Sequence, residues 1–361
     1  MKKKLLFTIY NLDLGGTEKA FINLIKTFDF SQYDVDVLIQ EKKGVFLEKL
    51  PKEVRVIDFK YKEAKNIFLR IRNKLKLIYF KKVLKGKYDF AGCFTSWNYN
   101  CADVIVNVCE NSALWIHENF LSKYNGDIQR LREFMDTQKI GRFKKIVFVS
   151  EDAKNAMKQA YPELEDNMVV CENYIDNKEI CEFAKKETQE ERDERFLFVN
   201  ISRHSEEEKS ISRILYASKR LKDEGYKFCV WLVGTGMDTE KYKEFVEREH
   251  LEDVIEFKGV KTNPYPYYKI ADAHILCSNN EGYGLSNIES LILDTPVITT
   301  DVAGMADMIN NKYGYVVSKD VDGVYGGMKK MLNEKFVIEE RYPIEEINAE
   351  IVSKFKKIIE D

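Results

Sequence analysis

A glycine-containing turn in the second half of the chain holds the residue types best suited to binding a phosphorylated ligand. Residues 278–289 read SNNEGYGLSNIE and follow the apolar run 273–277, whose composition indicates a strand. Gly282 and Gly284 allow a ligand to approach the backbone, and free N–H groups at the start of the following helix suit an anion. Ligands of open α/β sheets bind beyond the carboxyl ends of the strands, where this turn is expected to lie. The turn is therefore a candidate phosphate site.

Two glutamates lie eight positions apart across this turn, Glu281 before the predicted helix and Glu289 about one turn inside it. The spacing from Ser286 to Glu289 is also that of a capping box, in which the glutamate would stabilise the helix start and touch no ligand. Both interpretations of Glu289 stay open on these residues alone.

Two cations follow another strand-like run, at residues 196–201. Arg203 and Lys209 come soon after it, and an arginine fork with a lysine point charge suits a diphosphate. The same side chains could instead pair with the acids at 206–208. Position alone favours that pairing.

Two further features lie in the first half of the chain. Gly15 and Gly16 follow the strand-like run 4–10, and an isolated glycine pair is usually only a turn. His117 follows the run 112–116, where a lone histidine is more often structural than catalytic. Neither feature indicates a function by itself.

Taken together, these segments resemble the motifs of retaining glycosyltransferases of family four. The turn at 281–289 has the form of their E-x7-E signature, and Arg203 and Lys209 match the cations of a second motif. Ser202 and Ser210 depart from that motif, which has glycines there. The resemblance spans residues 5–318 and implies the GT-B fold, an α/β architecture of two facing doubly wound, Rossmann-like domains with an interdomain cleft.

The resemblance also implies roles for individual residues. Glu281 and His117 would lie near the transferred sugar, and Glu289 would bind the ribose of the donor. Arg203 and Lys209 would face the diphosphate, which completes the candidate catalytic set. The other implied donor contacts are Gly15 and Gly16 at the diphosphate, Lys258 and Val260 near the base, and the turn residues Gly282, Tyr283, Gly284, Leu285 and Ser286.

Strand-like runs alternate with longer amphipathic stretches along the chain, which predicts parallel sheets covered by helices on both faces. The pattern repeats in the second half, and 361 residues suit two domains. We expect an N-terminal acceptor-binding domain at 1–178 and a C-terminal nucleotide-sugar-binding domain at 179–342. The charged stretch 185–195 is the expected linker. An amphipathic helix at about 343–361 could pack on either domain, including back on the first.

The composition narrows the function classes. A hydrophobic content of 44% excludes a disordered or fibrous chain, and no apolar run suits a membrane span or a signal peptide, so a cytoplasmic protein is expected. Seven cysteines without a C-x-x-C pair and four scattered histidines predict reduced thiols and no metal site. The Gly234-x-Gly236 turn lacks the third glycine of a dinucleotide-binding fingerprint. Asp34-x-Asp36 has the form of a D-x-D metal motif, but it lies in a strand-like run and is interpreted as structural. We therefore expect no cofactor besides the nucleotide sugar as co-substrate.

The net charge of -3 conceals an uneven distribution. Residues 1–100 carry 21 Lys and Arg against 11 Asp and Glu, and within segment 60–87 the only acid is Glu63. Apolar residues interleave with its cations at helical spacing, which is typical of a basic amphipathic helix on an anionic membrane surface. Alternatively, the cations form a solvated face while the apolar residues pack on the protein's own sheet. No nucleic-acid-reading motif accompanies the charge, so nucleic acid is not an expected partner.

We therefore expect a cytoplasmic enzyme, with the inner face of the cell membrane as a possible peripheral location. It would transfer a sugar with retention and without metal, from a nucleotide diphosphate sugar, with a UDP-sugar favoured. The acceptor would be a glycan or lipid-linked, in surface polysaccharide biosynthesis. Two alternatives stay open: a nucleotide-sugar epimerase of the same fold, and a catalytically silent partner of another glycosyltransferase.

Overall fold

The computed structural model describes residues 2–63, 65–186, 188, 190–334 and 336–360. The chain forms two compact units. The first consists of Met1–Ile175 together with Ile347–Asp361, and the second of Asp176–Glu346. Each unit contains a parallel sheet with helices in its crossover connections, as the alternation of strand-like and amphipathic segments predicts.

The first strand of the chain lies in the interior of the first unit's sheet, not at its edge. Its strands are β1 (Lys3–Ile9), β2 (Tyr33–Ile39), β3 (Arg55–Asp58), β4 (Phe90–Cys93), β5 (Ser112–Ile116), β6 (Lys145–Phe148) and β7 (Met168–Val170). Their order in the sheet is β3-β2-β1-β4-β5-β6-β7, and neighbouring strands run parallel. The strands from β1 to β3 are added towards one edge of the sheet, and those from β4 to β7 are added towards the other, so the strand order reverses between β1 and β4.

Both faces of this sheet are buried, which explains why its strands read as continuous apolar runs. Successive residues of β1 point to opposite faces. Leu5 and Phe7 accordingly lie in one core cluster and Leu6 in the other. The helices of this part of the chain are α1 (Gly16–Ile25), α2 (Ile67–Leu84), α3 (Tyr99–Val108), α4 (Phe120–Lys123), α5 (Ile128–Thr137) and α6 (Glu151–Ala160), with 3-10 turns at Leu47–Lys49, Ile140–Arg142 and Pro162–Asn167.

The sheet of the second unit has the same kind of reversal. Its strands are β8 (Phe196–Ile201), β9 (Phe228–Val233), β10 (Ile255–Gly259), β11 (Ala273–Leu276), β12 (Val297–Thr300) and β13 (Gly314–Val317). Their order is β10-β9-β8-β11-β12-β13, so the chain builds from β8 to one edge and then returns to the other side of β8. The helices are α7 (Asn177–Phe183), α8 (Glu206–Lys209), α9 (Ser212–Asp223), α10 (Thr239–Arg248), α11 (Tyr265–Ile270), α12 (Leu285–Ile292), α13 (Met305–Ile309) and α14 (Val321–Glu334).

The last helix, α15 (Ile344–Glu360), buries one apolar face in the core of the first unit. Ile351, Phe355 and Ile358 recur at spacings of three and four residues, which places them on the same side of the helix. The rings of Phe355 and Phe7 have their centroids 6.3 Å apart.

The charged stretch 185–195 is not the linker, and that expectation is wrong. The chain passes from the first unit to the second after Ile175, so this stretch lies inside the second unit. Glu190 there pairs with Lys258 at 3.0 Å and with Lys261 at 2.8 Å. Glu190 thus finds its counter-charges in its own unit.

The Asp34-x-Asp36 segment has a structural use. Asp36 is buried in β2, accepts a hydrogen bond from Arg55 Nε at 2.8 Å, and accepts one from the Tyr88 hydroxyl at 2.6 Å. Within the described ranges, no group of three or more His, Cys, Asp or Glu side chains is arranged to hold a metal ion. The described helices also include none that is both long enough and apolar enough to cross a membrane.

Two histidines of the second unit are fully buried. His204 Nδ1 lies 3.0 Å from Thr239 Oγ1, and His274 Nδ1 lies 2.9 Å from the Val199 carbonyl oxygen. Burial lowers the pKa of each imidazole from 6.5 to about 4. Between about pH 4 and pH 6.5, these two histidines are protonated in the unfolded chain and neutral in the folded chain. The free energy of unfolding therefore falls as the pH drops from about 6.5 towards 4.

We expect this acid destabilisation to reach about 1 kcal/mol per histidine by a pH of about 5.5. His274→Gln keeps a donor for the Val199 carbonyl and should remove its share of the pH dependence. Denaturant titrations of the second unit's unfolding at several pH values measure the effect. His250→Gln, at an exposed position, is the control and should keep the full dependence. The same pH slope in the His274→Gln variant as in the wild type would contradict the explanation.

Candidate functional site

The reversal point of the second sheet brings together loops from distant parts of the chain. β8 and β11 are neighbours, although two strands and their helices separate them in sequence. Because they run parallel, the loops that follow them emerge side by side at the carboxyl edge of the sheet. Such reversal points form the crevice in which open α/β sheets bind ligands. Arg203 lies in the loop after β8, Lys209 lies at the end of the short helix α8 that follows this loop, and Glu281 lies in the loop after β11.

Lys209, the last residue of α8, reaches Glu281 in the loop after β11. Its Nζ lies 2.5 Å from Glu281 Oε1, and Ser278 Oγ donates to the same oxygen at 2.6 Å. The Lys209 and Glu281 side chains are only 17% and 12% exposed. Solvent and salt screen such a pair weakly, so the ammonium is held in one position. The site thus contains a positioned cation beside a carboxylate.

Arg213 of α9 holds the loop after β11 in place. Its guanidinium donates to the Cys277 carbonyl at 2.8 Å and to Asn279 Oδ1 at 2.6 Å. The Asn279 backbone N–H donates to the Glu208 carbonyl at 2.8 Å, which ties the loop to α8. The sequence analysis missed Arg213, Ser278 and Asn279. Arg213 meets the loop after β11 only through the order of the strands, which leaves no local motif, whereas Ser278 contacts Glu281 within the same loop.

The two serines that stand in place of glycines have different structural settings. Ser210 ends α8 with φ 45° and ψ 47°, the left-handed conformation that usually favours glycine. Its hydroxyl donates to the Glu206 carbonyl at 3.0 Å, which offsets part of the roughly 1 kcal/mol cost of that conformation. At Ser202 the chain packs closely on Gly234, where an added Cβ would lie 2.0 Å from the Ser202 oxygen.

Helix α12 starts without a side-chain cap. Gly284 is its N-cap residue with φ 68°, and this cap makes no side-chain hydrogen bond to the helix. The first N–H groups and the positive end of the helix dipole therefore remain suited to an anion. The capping-box interpretation of Ser286 and Glu289 is wrong, because Ser286 is the second residue of the helix and not its cap.

Glu289 is a buried carboxylate, 7% exposed, on α12. The Tyr268 hydroxyl of α11 lies 3.4 Å from Glu289 Oε2. Burial, and secondly the charge of Glu289, raise the pKa of Tyr268 well above its ordinary value. The sequence analysis also missed Tyr268 as a partner of Glu289, because the segment around Tyr268 carries no recognisable motif.

Arg203 and Lys209 differ in their surroundings. The Arg203 side chain is 69% exposed, and its guanidinium lies 3.3 Å from Glu208, one of the neighbouring acids. The alternative of local pairing therefore holds for Arg203, whereas Lys209 pairs across the crevice with Glu281.

The residues expected near the base lie at the end of β10. The Lys258 ammonium is held by Glu190 at 3.0 Å and by Glu256 at 2.7 Å, and it lies over the Trp231 ring at 4.2 Å. Val260 directly after the strand is 55% exposed. In the turn before α12, Tyr283 is buried and Gly282 is half-buried, and the first two residues of α12, Leu285 and Ser286, are also half-buried. These donor contacts stay predictions.

The remaining predicted residues belong to the first unit. Gly15 is the N-cap residue of α1, which begins at Gly16. His117 follows β5, with its ring centroid 4.5 Å from that of Phe94. Among the described residues neither of its ring nitrogens has a hydrogen-bond partner, and burial lowers its pKa to about 3 against a smaller opposing effect of the Phe94 backbone. The imidazole is therefore neutral at physiological pH.

The first unit also contains a basic pocket that the sequence analysis did not predict. It has a volume of about 760 Å³ and lies beyond the carboxyl ends of β1, β2 and β3. Lys43 pairs with Glu41 at 2.9 Å, but within the described ranges Lys42, Lys60 and Lys62 have no ion-pair partner. The pocket therefore suits a ligand that carries negative charge. Its five cations are Lys42, Lys43, Lys60, Lys62 and Arg72, against three carboxylates.

The second unit is similar to known proteins. Residues 182–348 match the family model of glycosyl transferases group 1. The chain is 26% identical to the capsular polysaccharide biosynthesis glycosyltransferase CapM of Staphylococcus aureus over 137 residues. This matched segment is 37% of this chain and 36% of CapM. Over 134 residues it is 30% identical to a poly(ribitol-phosphate) alpha-N-acetylglucosaminyltransferase of the same species, which covers 33% of this chain and 27% of the relative. The chain thus matches about a third of the length of these relatives.

A solved structure is similar along almost the whole chain. HepE of Anabaena, in complex with UDP and glucose, superimposes with a TM-score of 0.77 at 16% identity, over 98% of this chain and 99% of that one. At this identity the likeness shows the fold, and it confirms the expected α/β GT-B class with two Rossmann-like units. The chain therefore has the GT-B fold, and residues 182–348, which cover most of its second unit, match the family model of glycosyl transferases group 1.

Proposed function

We propose that the protein is a retaining, metal-independent glycosyltransferase. It moves a sugar from a UDP-sugar to a glycan or lipid-linked acceptor in surface polysaccharide biosynthesis, at the cytoplasmic face of the cell membrane. The observation that carries the proposal is the Lys209–Glu281 pair beside the start of α12, at the reversal point of the second sheet. The capsular polysaccharide and poly(ribitol-phosphate) relatives support the reaction class, and the UDP complex of HepE supports the donor.

The proposed chemistry stabilises a leaving diphosphate. Negative charge develops on the diphosphate as its bond to the sugar breaks, and donors fixed in advance stabilise that charge most effectively. Lys209, Arg203 and the helix start after Gly284 would supply them. Because Glu281 already orients the Lys209 ammonium, little reorganisation accompanies donor binding. These groups would replace the charge of a metal ion, which is why we propose a metal-independent reaction.

Retention follows from attack on the face that the diphosphate leaves. The acceptor oxygen forms its bond to the anomeric carbon while the bond to the diphosphate breaks, and the acceptor proton passes to the departing phosphate oxygen. No side-chain nucleophile is then required. Glu281 would hold hydroxyl groups of the sugar, and Glu289 would accept hydrogen bonds from the ribose.

The basic pocket of the first unit is the proposed acceptor site. Its unpaired lysines suit an acceptor with a phosphate or diphosphate, such as a lipid-linked sugar. The pocket lies at the carboxyl edge of its sheet, which is where open α/β sheets bind ligands.

UDP binding tests the donor site. Lys209→Met should raise the Kd for UDP by about tenfold or more, because a charge-assisted hydrogen bond to the diphosphate is lost. Isothermal titration calorimetry measures it, with and without a metal chelator. Lys219→Met is the matched control. Lys219 lies on α9 and pairs with Asp223 of the same helix and with Glu249 directly after α10. Equal UDP affinity in the Lys209→Met variant and the wild type would overturn the donor site.

Product analysis tests the reaction itself. With UDP-sugars and lipid-linked or glycan acceptors, we expect a transferred sugar whose anomeric configuration is retained. Conversion of the free donor without an acceptor would instead identify an epimerase. UDP binding with no turnover of any donor, alongside normal folding, would favour a silent partner subunit.

Arg213 should act as a positioning residue for the loop after β11. Arg213→Met leaves the Cys277 carbonyl and Asn279 without their donor, so the free energy of unfolding of the second unit should fall by about 1–3 kcal/mol. The KM for the donor should rise with it. Arg220→Met on the same helix removes an exposed pair with Asp322 and the contact of the guanidinium with the Tyr325 ring at 3.8 Å, and should change stability by no more than about 1 kcal/mol. Equal stability of the two variants would contradict the anchoring role.

The acceptor pocket has its own test. The double variant Lys42→Ala, Lys62→Ala should raise the KM for an anionic acceptor by about tenfold and leave the Kd for UDP unchanged, because only first-unit cations are removed. Initial-rate kinetics at saturating donor measure this. Lys52→Ala, an exposed residue outside the pocket, is the control. An unchanged acceptor KM in the double variant would remove the pocket from the proposal.

A further inference from the structure

Helix α2 of the first unit leaves a continuous apolar face open to solvent. Its contact with the unit is made by Asn73, Leu77 and Leu84, which are the buried residues of the helix. The interleaved apolar residues do not pack on the sheet, so that alternative from the sequence is wrong for most of them. Six large apolar side chains are between 50% and 78% exposed: Ile67, Phe68, Ile71, Leu75, Ile78 and Tyr79.

The exposed face lies opposite the buried one. At about 100° per residue, Phe68, Ile71, Leu75 and Ile78 recur at spacings of three and four and form a single stripe along the helix. The stripe is turned roughly half a revolution from Leu77 and its buried neighbours. Scattered exposed apolar residues are ordinary, whereas a contiguous stripe of this kind marks an interaction surface.

Basic side chains border the stripe on both sides. Residues 67–84 contain six Lys and Arg and no Asp or Glu. Three of the six make contacts within the unit. Lys81 pairs with Asp103 at 2.8 Å, and Arg72 and Lys76 donate hydrogen bonds to the Lys60 carbonyl. In the described part of the chain Arg70, Lys74 and Lys82 have no ion-pair partner.

We propose that α2 docks on a bilayer surface rich in anionic lipids, with Phe68, Ile71, Leu75 and Ile78 inserted among the acyl chains. Charge complementarity selects this occupant: unpaired Arg70, Lys74 and Lys82 flank or interrupt an apolar stripe, the pattern by which interfacial helices bind anionic headgroups. A protein partner would need a matching array of carboxylates around an apolar groove. A second copy of α2 would bring its own cations against these, because this helix has no acidic residue.

Co-sedimentation with vesicles tests the proposal independently of any enzymatic activity. The wild-type protein should bind vesicles of phosphatidylcholine mixed with phosphatidylglycerol, and not phosphatidylcholine alone. The apolar variant Phe68→Ser, Leu75→Ser should reduce partitioning by about tenfold or more. The charge variant Arg70→Glu, Lys74→Glu, Lys82→Glu should reduce it by about a hundredfold and remove the salt dependence that the wild type shows.

Matched controls lie elsewhere on the first unit. Val45→Ser with Ile128→Ser changes two other exposed apolar side chains, and Lys26→Glu, Lys52→Glu, Lys144→Glu reverses three other exposed lysines. Both controls should bind as the wild type does, and all variants should keep the wild-type Tm because the altered residues are exposed. Absence of wild-type binding to anionic vesicles would overturn the proposal. So would wild-type binding by the two α2 variants, or a dimer that the apolar variant abolishes without any vesicle binding.

Discussion

The ion pair between Lys209 and Glu281 joins two loops that the sheet order alone makes neighbours. With both side chains largely buried, neither charge can lose its partner cheaply, because an uncompensated charge in such a place is strongly destabilising. The surrounding hydrogen bonds maintain this contact. Ser278 donates to the same carboxylate oxygen, and Arg213 holds the strand end that precedes it. The crevice is thus organised before any ligand arrives, which is the condition for effective electrostatic stabilisation of a leaving group.

The two units use their charge differently, and the net charge of -3 hides the difference. In the second unit, a few cations point at one crevice within an otherwise acidic part of the chain. In the first, the basic pocket and α2 are contiguous, since Arg72 belongs to both. An anionic lipid-linked acceptor would therefore meet a surface and a pocket of opposite charge on the same unit. Placement of charge, rather than its total, carries the functional information.

The sequence predicted the features that are encoded locally. Alternating strand and helix patterns indicated both sheets, and the E-x7-E spacing located the turn that carries Glu281 and Glu289. Features that depend on strand order were not predictable in this way. Arg213 and Tyr268 find their partners across the fold, and the stretch 185–195 finds its counter-charges in its own unit. For α2, apolar residues on both sides of the helix obscured which side would face the core, and the structure places the longer stripe in solvent.

The most direct test of the account is a crystal structure of the protein with UDP bound. The account predicts the diphosphate at the start of α12, with Lys209 Nζ about 3 Å from a phosphate oxygen and the Glu289 carboxylate accepting a hydrogen bond from a ribose hydroxyl. A structure that places the nucleotide elsewhere, while Lys209 keeps its contact with Glu281 and Glu289 its contact with Tyr268, would contradict the account.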